Sequence, residues 1–204
     1  MSAATQRSAS ARAPAGPPDG ADSASIGRSL VEPERFAAVF DRHAPYIHRY
    51  VARRLGPDAA DDVVAETFLT AFGKRGTYDL RRPDARPWLY GIATNLIGTH
   101  RRTEARELRL LARSRPAGTE PFPEERIAAQ VSARARRPEL VAALAGLSPD
   151  DRDVLLLIAW EELSYDEVAA ALNIPVGTVR SRLHRARRTL RAALGAPTSE
   201  EYPR

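Results

Sequence analysis

The sequence predicts an all-α protein built as two small helical domains joined by a flexible linker, and three observations carry this reading. Apolar residues recur at helical spacings from Pro33 to Leu96. A second stretch, Leu147 to Leu194, carries helix start and stop signals without a gap. Between them, residues 103–136 mix charges of both signs with Pro116, Gly118, Pro121 and Pro123 and sustain no apolar stripe. The expected organisation is a disordered tail over residues 1–30, a first domain over 31–102, a linker over 103–136, a second domain over 137–195 and a short tail over 196–204.

The tail is rich in Ala, Ser, Pro and Gly and has almost no large apolar residue before Ile26, too little to bury. From Pro33 to Leu55, Phe36, Val39, Phe40, Ile47, Tyr50, Val51 and Leu55 fall at helical spacings, with Pro45 marking a bend or break. Pro57 and Asp58 begin a second helix, which buries Val64, Phe68, Ala71 and Phe72 and turns Asp62, Glu66 and Leu69 outward. Gly73 to Arg86 reads as a loop with four arginines. From Pro87 a third helix buries Leu89, Ile92, Ala93 and Leu96 and runs to Arg101 and Arg102, and Leu108, Leu110 and Leu111 could extend it into the linker. Three to four helices therefore make the first domain.

In the second domain, Ser148-Pro149-Asp150-Asp151 is a start signal with proline at the first helical position. Ser164 and Glu167 form the Ser-x-x-Glu capping box of a short helix that stops at Asn173, a residue tolerant of the left-handed conformation. Pro175 pre-sets the next helix, so two short helices meet across a tight turn: a helix-turn-helix. In the final helix Val179, Leu183, Ala186, Leu190 and Leu194 share one stripe and face a core. The opposite side carries Gly177, Ser181, His184 and Arg188, with Arg180 and Arg185 on its flanks. Arginine forks onto guanine or phosphate, and Ser and His reach base edges, so this face suits a major groove.

Composition agrees. The net charge is +5 and the isoelectric point about 10.0. The excess is local: no acidic residue lies between Ala169 and Ser199, where Arg180 to Arg191 holds six arginines. Lys74 is the only lysine among thirty-one basic residues, a bias that part of a GC-rich genome's codon use would produce. The absence of cysteine removes disulfides, thiolate metal sites and cysteine nucleophiles. No apolar run approaches eighteen residues and the first thirty residues lack an apolar signal core, so a soluble cytoplasmic protein without a membrane partner is expected. His43, His48, His100 and His184 show no metal spacing, and neither a Gly-x-Ser-x-Gly nor a Walker pattern occurs. No catalytic residue, metal, cofactor or small-molecule substrate is expected.

With the residues placed, the chain resembles a bacterial sigma factor of the extracytoplasmic-function group, the minimal kind that keeps only regions 2 and 4. The resemblance rests on Phe36-Ala-Ala-Val-Phe-Asp-Arg-His, Asp61 to Phe72 and Pro87-Trp-Leu-Tyr-Gly-Ile-Ala-Thr-Asn95 in the first half. In the second half it rests on Leu147-Ser-Pro-Asp-Asp-Arg, Leu163-Ser-Tyr-Asp-Glu-Val-Ala and Pro175-Val-Gly-Thr-Val-Arg-Ser-Arg-Leu. It implies a dissociable subunit that directs RNA polymerase core to promoters, recognises the minus ten and minus thirty-five elements and helps open DNA, while the polymerase does the chemistry.

By the same resemblance, Asp62, Glu66 and Leu69 dock on the β′ clamp helices, and the second domain meets the β flap. Arg81, Arg82, Arg86, Asn95, Arg101 and Arg102 handle the minus ten region, Asn95 at the edge of a base pocket and the arginines on phosphates. Trp88 and Tyr90 fit core packing better than stacking. Gly177, Thr178, Arg180, Ser181, His184, Arg185 and Arg188 form the minus thirty-five face, with backbone N–H groups at Gly177 and Thr178 offered to phosphate. An anti-sigma factor is the further partner the family implies. The alternative is a stand-alone helix-turn-helix regulator, which leaves the first domain unused.

Overall fold

The computed structural model describes residues 21–113 and 138–194; the expectations for residues 1–20, for most of the linker and for the tail after 195 lie outside the described residues. Among the described residues there are helices and turns and no strand, as expected. No described helix is long and apolar enough to cross a membrane.

The first helix, α1 (Ala21–Ser29), corrects the expectation of a disordered tail through residue 30. Composition alone does not order it; contacts with later segments do, led by two side chains. Ile26 is fully buried, and the buried Asp22 carboxylate meets partners from two later segments. Asp22 pairs with the Arg42 guanidinium, lies 2.7 Å from His43 Nε2 and accepts the Ala85 N–H at 2.9 Å. Burial would raise this carboxyl, but hydrogen bonds from His43 and Ala85 and the Arg42 charge outweigh it and hold the group below its usual range.

A 3-10 turn, Pro33–Phe36, leads into α2 (Ala37–Leu55). Pro45 does not break this helix: it sits on the exposed side, so the missing N–H falls where water can serve the orphaned carbonyl. Val39, His43, Ile47, Tyr50, Val51 and Arg54 form the buried stripe, and Gly56 ends the helix at φ 89, where a side chain would be strained. Helix α3 (Ala60–Lys74) buries Val63, Val64, Phe68 and Ala71; Phe36 packs edge-on to Phe72 and Phe40 to Phe68. Helix α4 (Arg86–Arg113) continues eleven residues past the expected domain edge at 102, as the leucines there allowed.

The second domain comprises α5 (Pro138–Ala145), α6 (Pro149–Ala159), α7 (Tyr165–Leu172) and α8 (Val176–Leu194). Its start and stop signals act as written. Ser148 Oγ accepts the Asp151 N–H, both arms of the Ser164–Glu167 capping box are closed, and Asn173 adopts φ 53, ψ 49. Val179, Leu183 and Ala186 are buried. Sequence periodicity held no sign of the next feature: the two domains share one continuous core, because α4 packs on α7 as well as on α2 and α3.

Asp22→Ala is expected to destabilise the fold by about 3 kcal/mol, since it leaves buried His43 without its partner. The Asp22 carboxyl titrates lower folded than unfolded, so its stabilisation is complete above about pH 4 and is lost as pH falls through the folded value. Urea unfolding of the wild type and the variant between pH 7 and pH 3 measures both effects: the gap between them should narrow in acid.

Candidate DNA and polymerase interfaces

The outer side of α8 is open. Gly177, Arg180, Ser181, His184, Arg185 and Arg188 are exposed, and Thr178 is half-buried. A Cβ built on Gly177 meets nothing within 4 Å, so the helix start leaves room for a close backbone. The Thr178 N–H is already donated to the Pro175 carbonyl at 2.8 Å, which takes it out of the set of amides available to a phosphate. The Ser181 hydroxyl donates to the Thr178 carbonyl at 3.0 Å and keeps its lone pairs outward. Two arginines are tied to the start of α6: Arg182 Nη2 donates to Asp150 at 2.6 Å, and Arg185 donates through Nε and Nη2 to the two oxygens of Asp151 at 2.7 and 3.0 Å. The Arg185 hydrogen bond is the main reason the Asp151 carboxyl lies below its usual range.

On the first domain, the residues expected on polymerase form one open strip: Asp62, Glu66 and Leu69 are exposed along α3, Leu69 at 72%. The loop before α4 presents Arg81 and Arg82. Arg81 grips Asp79 through two bonds of 2.9 Å, which pull that carboxyl down to about 2. Tyr78 floors the loop, donating to the Arg82 carbonyl at 2.7 Å and packing against half-buried Trp88 with ring centres 4.9 Å apart. Asn95 and Arg102 are exposed on α4.

Two of the arginines expected on phosphate have protein partners in this structure. Arg101 is half-buried and donates to the Arg54 carbonyl at the end of α2 at 2.7 Å. Burial, with the neighbouring Arg54 and Arg152 charges, pushes its pKa down to about 10. Arg86 crosses to the second domain and donates to the Glu161 carbonyl at 2.8 Å. Tyr90 is core, as expected, and adds a role with no sequence signal: its hydroxyl donates to buried Glu161.

These contacts form a seam between the domains. A Cβ built on Gly91 would lie 2.2 Å from the Ala171 carbonyl oxygen, so α4 and α7 touch backbone to backbone there. On either side, Arg54 pairs with Asp153, Arg53 lies over the Trp160 ring at 5.4 Å, and Tyr90, Arg86 and Arg49 surround Glu161. The pairing partners stand about seventy to a hundred and ten residues apart in sequence, and that is why local patterns could not announce them.

Among the described residues, Asp22, His43 and Asp84 place one ligand atom each within 4.8 Å. Both Asp22 oxygens are already occupied by protein donors, and Asp84 accepts the Arg86 N–H at 2.8 Å, so the group is built as a hydrogen-bond hub.

The chain matches two family descriptions, Sigma-70 region 2 over residues 39–107 and Sigma-70 region 4 over residues 137–190. It is 37% identical over 170 residues to the ECF RNA polymerase sigma factor SigL of Mycobacterium tuberculosis, covering 82% of this chain and 93% of that protein. It is 34% identical over 173 residues to the ECF RNA polymerase sigma factor SigW of Bacillus subtilis, covering 79% and 89%. The fold is similar to that of CnrH solved with the cytosolic domain of CnrY, with TM-score 0.58, 27% identity and coverage of 87% and 99%. It is also similar to the sigma factor RpoE solved with the anti-sigma factor NepR from Bartonella quintana, with TM-score 0.59, 23% identity and coverage of 80% and 98%.

Gly91→Ala tests the seam. Alanine improves the helix interior by about 1 kcal/mol, so α4 itself gains, while the new methyl has no room against α7. The chain lacks cysteine, which allows clean labelling at Gly73→Cys and Ala142→Cys. Energy transfer between the labels is expected to fall in the Gly91→Ala variant while helical content is kept.

Proposed function

The chain belongs to the extracytoplasmic-function sigma factors and directs bacterial RNA polymerase core to promoters, and on that premise we propose how its surfaces divide the work. The exposed α3 strip of Asp62, Glu66 and Leu69 docks on the β′ clamp helices. Carboxylates facing a basic partner set register and association rate, and Leu69 supplies apolar area. The loop with Arg81 and Arg82, together with Asn95 and Arg102 on α4, takes the minus ten element as its strands part. The outer side of α8 reads the minus thirty-five element in duplex form, with the β flap holding the second domain there. The protein works in the cytoplasm with its polymerase and performs no catalytic step. The stand-alone regulator is not favoured, since the relatives share both domains.

The single observation that carries this division is that the three faces are all open to solvent and point from different helices, α3, α4 and α8. The seam adds a condition. Promoter elements one and a half turns apart lie ~50 Å from each other, whereas α4 and α7 touch. On this reading the domains part before both grips close on one duplex, and Arg86 is released when they do. The 24 residues between Arg113 and Pro138 reach at most ~80 Å at ~3.3 Å each, which suffices. An anti-sigma factor, the kind of partner solved with RpoE of Bartonella quintana, would hold this chain inactive by covering its DNA-facing surfaces.

Core polymerase loaded with the purified chain should give promoter-specific transcripts, and failure to do so would sink the reading. Glu66→Lys should weaken core binding in a pull-down without affecting the fold. Asn95→Ala should leave core binding intact and impair melting, which permanganate footprinting reads directly. Arg185→Ala should reduce use of promoters through the upstream element by about tenfold or more if the contact is bidentate, with little effect on promoters lacking it.

A further inference from the structure

We propose that Asp151 is a positioning residue for promoter reading: it clamps one edge of the Arg185 guanidinium so that the other edge is presented to a guanine. The proposal rests on α8 being the helix that reads the upstream element.

Acidic residues in the first turn of a helix ordinarily serve the helix dipole, and Asp150 and Asp151 both qualify by position. Asp151 does more. Its side chain is 5% exposed, and each oxygen accepts one N–H of Arg185, Oδ2 from Nε at 2.7 Å and Oδ1 from Nη2 at 3.0 Å. That is the parallel two-bond fork of arginine with carboxylate. The carboxylate is itself seated in the α6 cap, where the Asp151 N–H donates to Ser148 Oγ, so its backbone is fixed before Arg185 arrives.

A guanidinium carries five N–H donors in one plane. The side edge, Nε with Nη2, is the edge Asp151 holds. What remains is Nη1 and the outer hydrogen of Nη2, the end-on fork whose spacing matches guanine O6 and N7. The Arg185 side chain is 55% exposed, so that fork looks into solvent from the same face as Ser181, His184 and Arg188. An arginine merely tucked away would bury its free edge; here the carboxylate is the buried partner and the arginine the open one.

Two consequences follow for recognition. A long side chain ordered before DNA arrives loses less rotamer freedom on binding. The adjacent carboxylate also offsets the arginine charge, which weakens its pull on any phosphate and leaves its geometry for base reading. Both act in one direction, raising the ratio of specific to non-specific binding.

The test uses core polymerase loaded with the full chain on a pool of promoter duplexes randomised through the upstream element, with the transcripts sequenced. Wild type should favour guanine at one position of the element, and Arg185→Ala should erase that preference. Asp151→Asn should cut it by about tenfold, the size of one good bidentate contact, and the double variant should be no worse than Arg185→Ala alone. A second measurement, binding of the free chain to random-sequence duplex against salt, should show a slope steeper by about one in Asp151→Asn, because the freed arginine turns to phosphate. A loss of folding alone would not steepen that slope. Preference kept in full by Asp151→Asn while Arg185→Ala erases it, or an unchanged slope, overturns the clamp and leaves the reading of α8 standing. Preference kept by Arg185→Ala removes Arg185 from the readers and the clamp with it.

Discussion

The backbone contact between α4 and α7 at Gly91 is the constraint from which the arrangement of the whole chain follows. Only a residue without a Cβ lets the Ala171 carbonyl come so near, and once the helices are that close every side chain around the contact must find a partner across it. Tyr90, one position before Gly91, reaches Glu161, and Arg86, one turn earlier, reaches the Glu161 carbonyl. The helix that would handle an opened promoter strand is thereby the helix that holds the duplex-reading domain in place. On the proposed division of work, one element serves both contacts.

A second hub makes the first domain rigid enough for this to matter. Asp22 joins α1 to α2 through Arg42 and His43, and to the start of α4 through the Ala85 N–H. Ala85 closes the arginine loop, so the loop's last residue is anchored while Arg81 and Arg82 remain open. Tyr78 and Trp88 pack beneath it. The exposed arginines therefore stand on a fixed base, which is what a site needs if it is to meet an unstacked strand without ordering itself first.

Whatever depends on local periodicity or capping was legible in the residues. Most of the buried stripes of α2 and α3, the α8 stripe as far as Ala186, the capping box at Ser164, the left-handed Asn173 and the outward set on α8 follow from spacing within one helix, whereas Phe40 and Leu194, expected on those stripes, are exposed. What depends on partners far along the chain was not. Helix α1 looked like tail because its order comes from one isoleucine and a carboxylate whose partners lie about twenty and sixty residues away. That Arg101 meets the Arg54 carbonyl at the end of α2 is something a helical wheel does not show. Spacing within α8 turns Arg185 outward, but the Asp151 fork that holds it belongs to another helix and has no local signature.

The chemistry of the seam explains how a packed arrangement can still come apart. Its pairs are charged or polar, and Arg49, Arg54 and Arg101 each keep a buried Nε with no hydrogen-bond partner, as does one oxygen of Glu161. Arg101 and Arg152 lie near the Arg54 charge, so burial and like charge disfavour their charged forms, while Tyr50 and Asp153 favour that of Arg54. Each unmet polar atom costs free energy that water would return on separation. Around the Gly91 contact the seam combines apolar packing continuous with the core of both domains and a rim of imperfectly satisfied charges. The unmet polar atoms of that rim lower the cost of parting the domains below that of a seam whose polar groups are all paired.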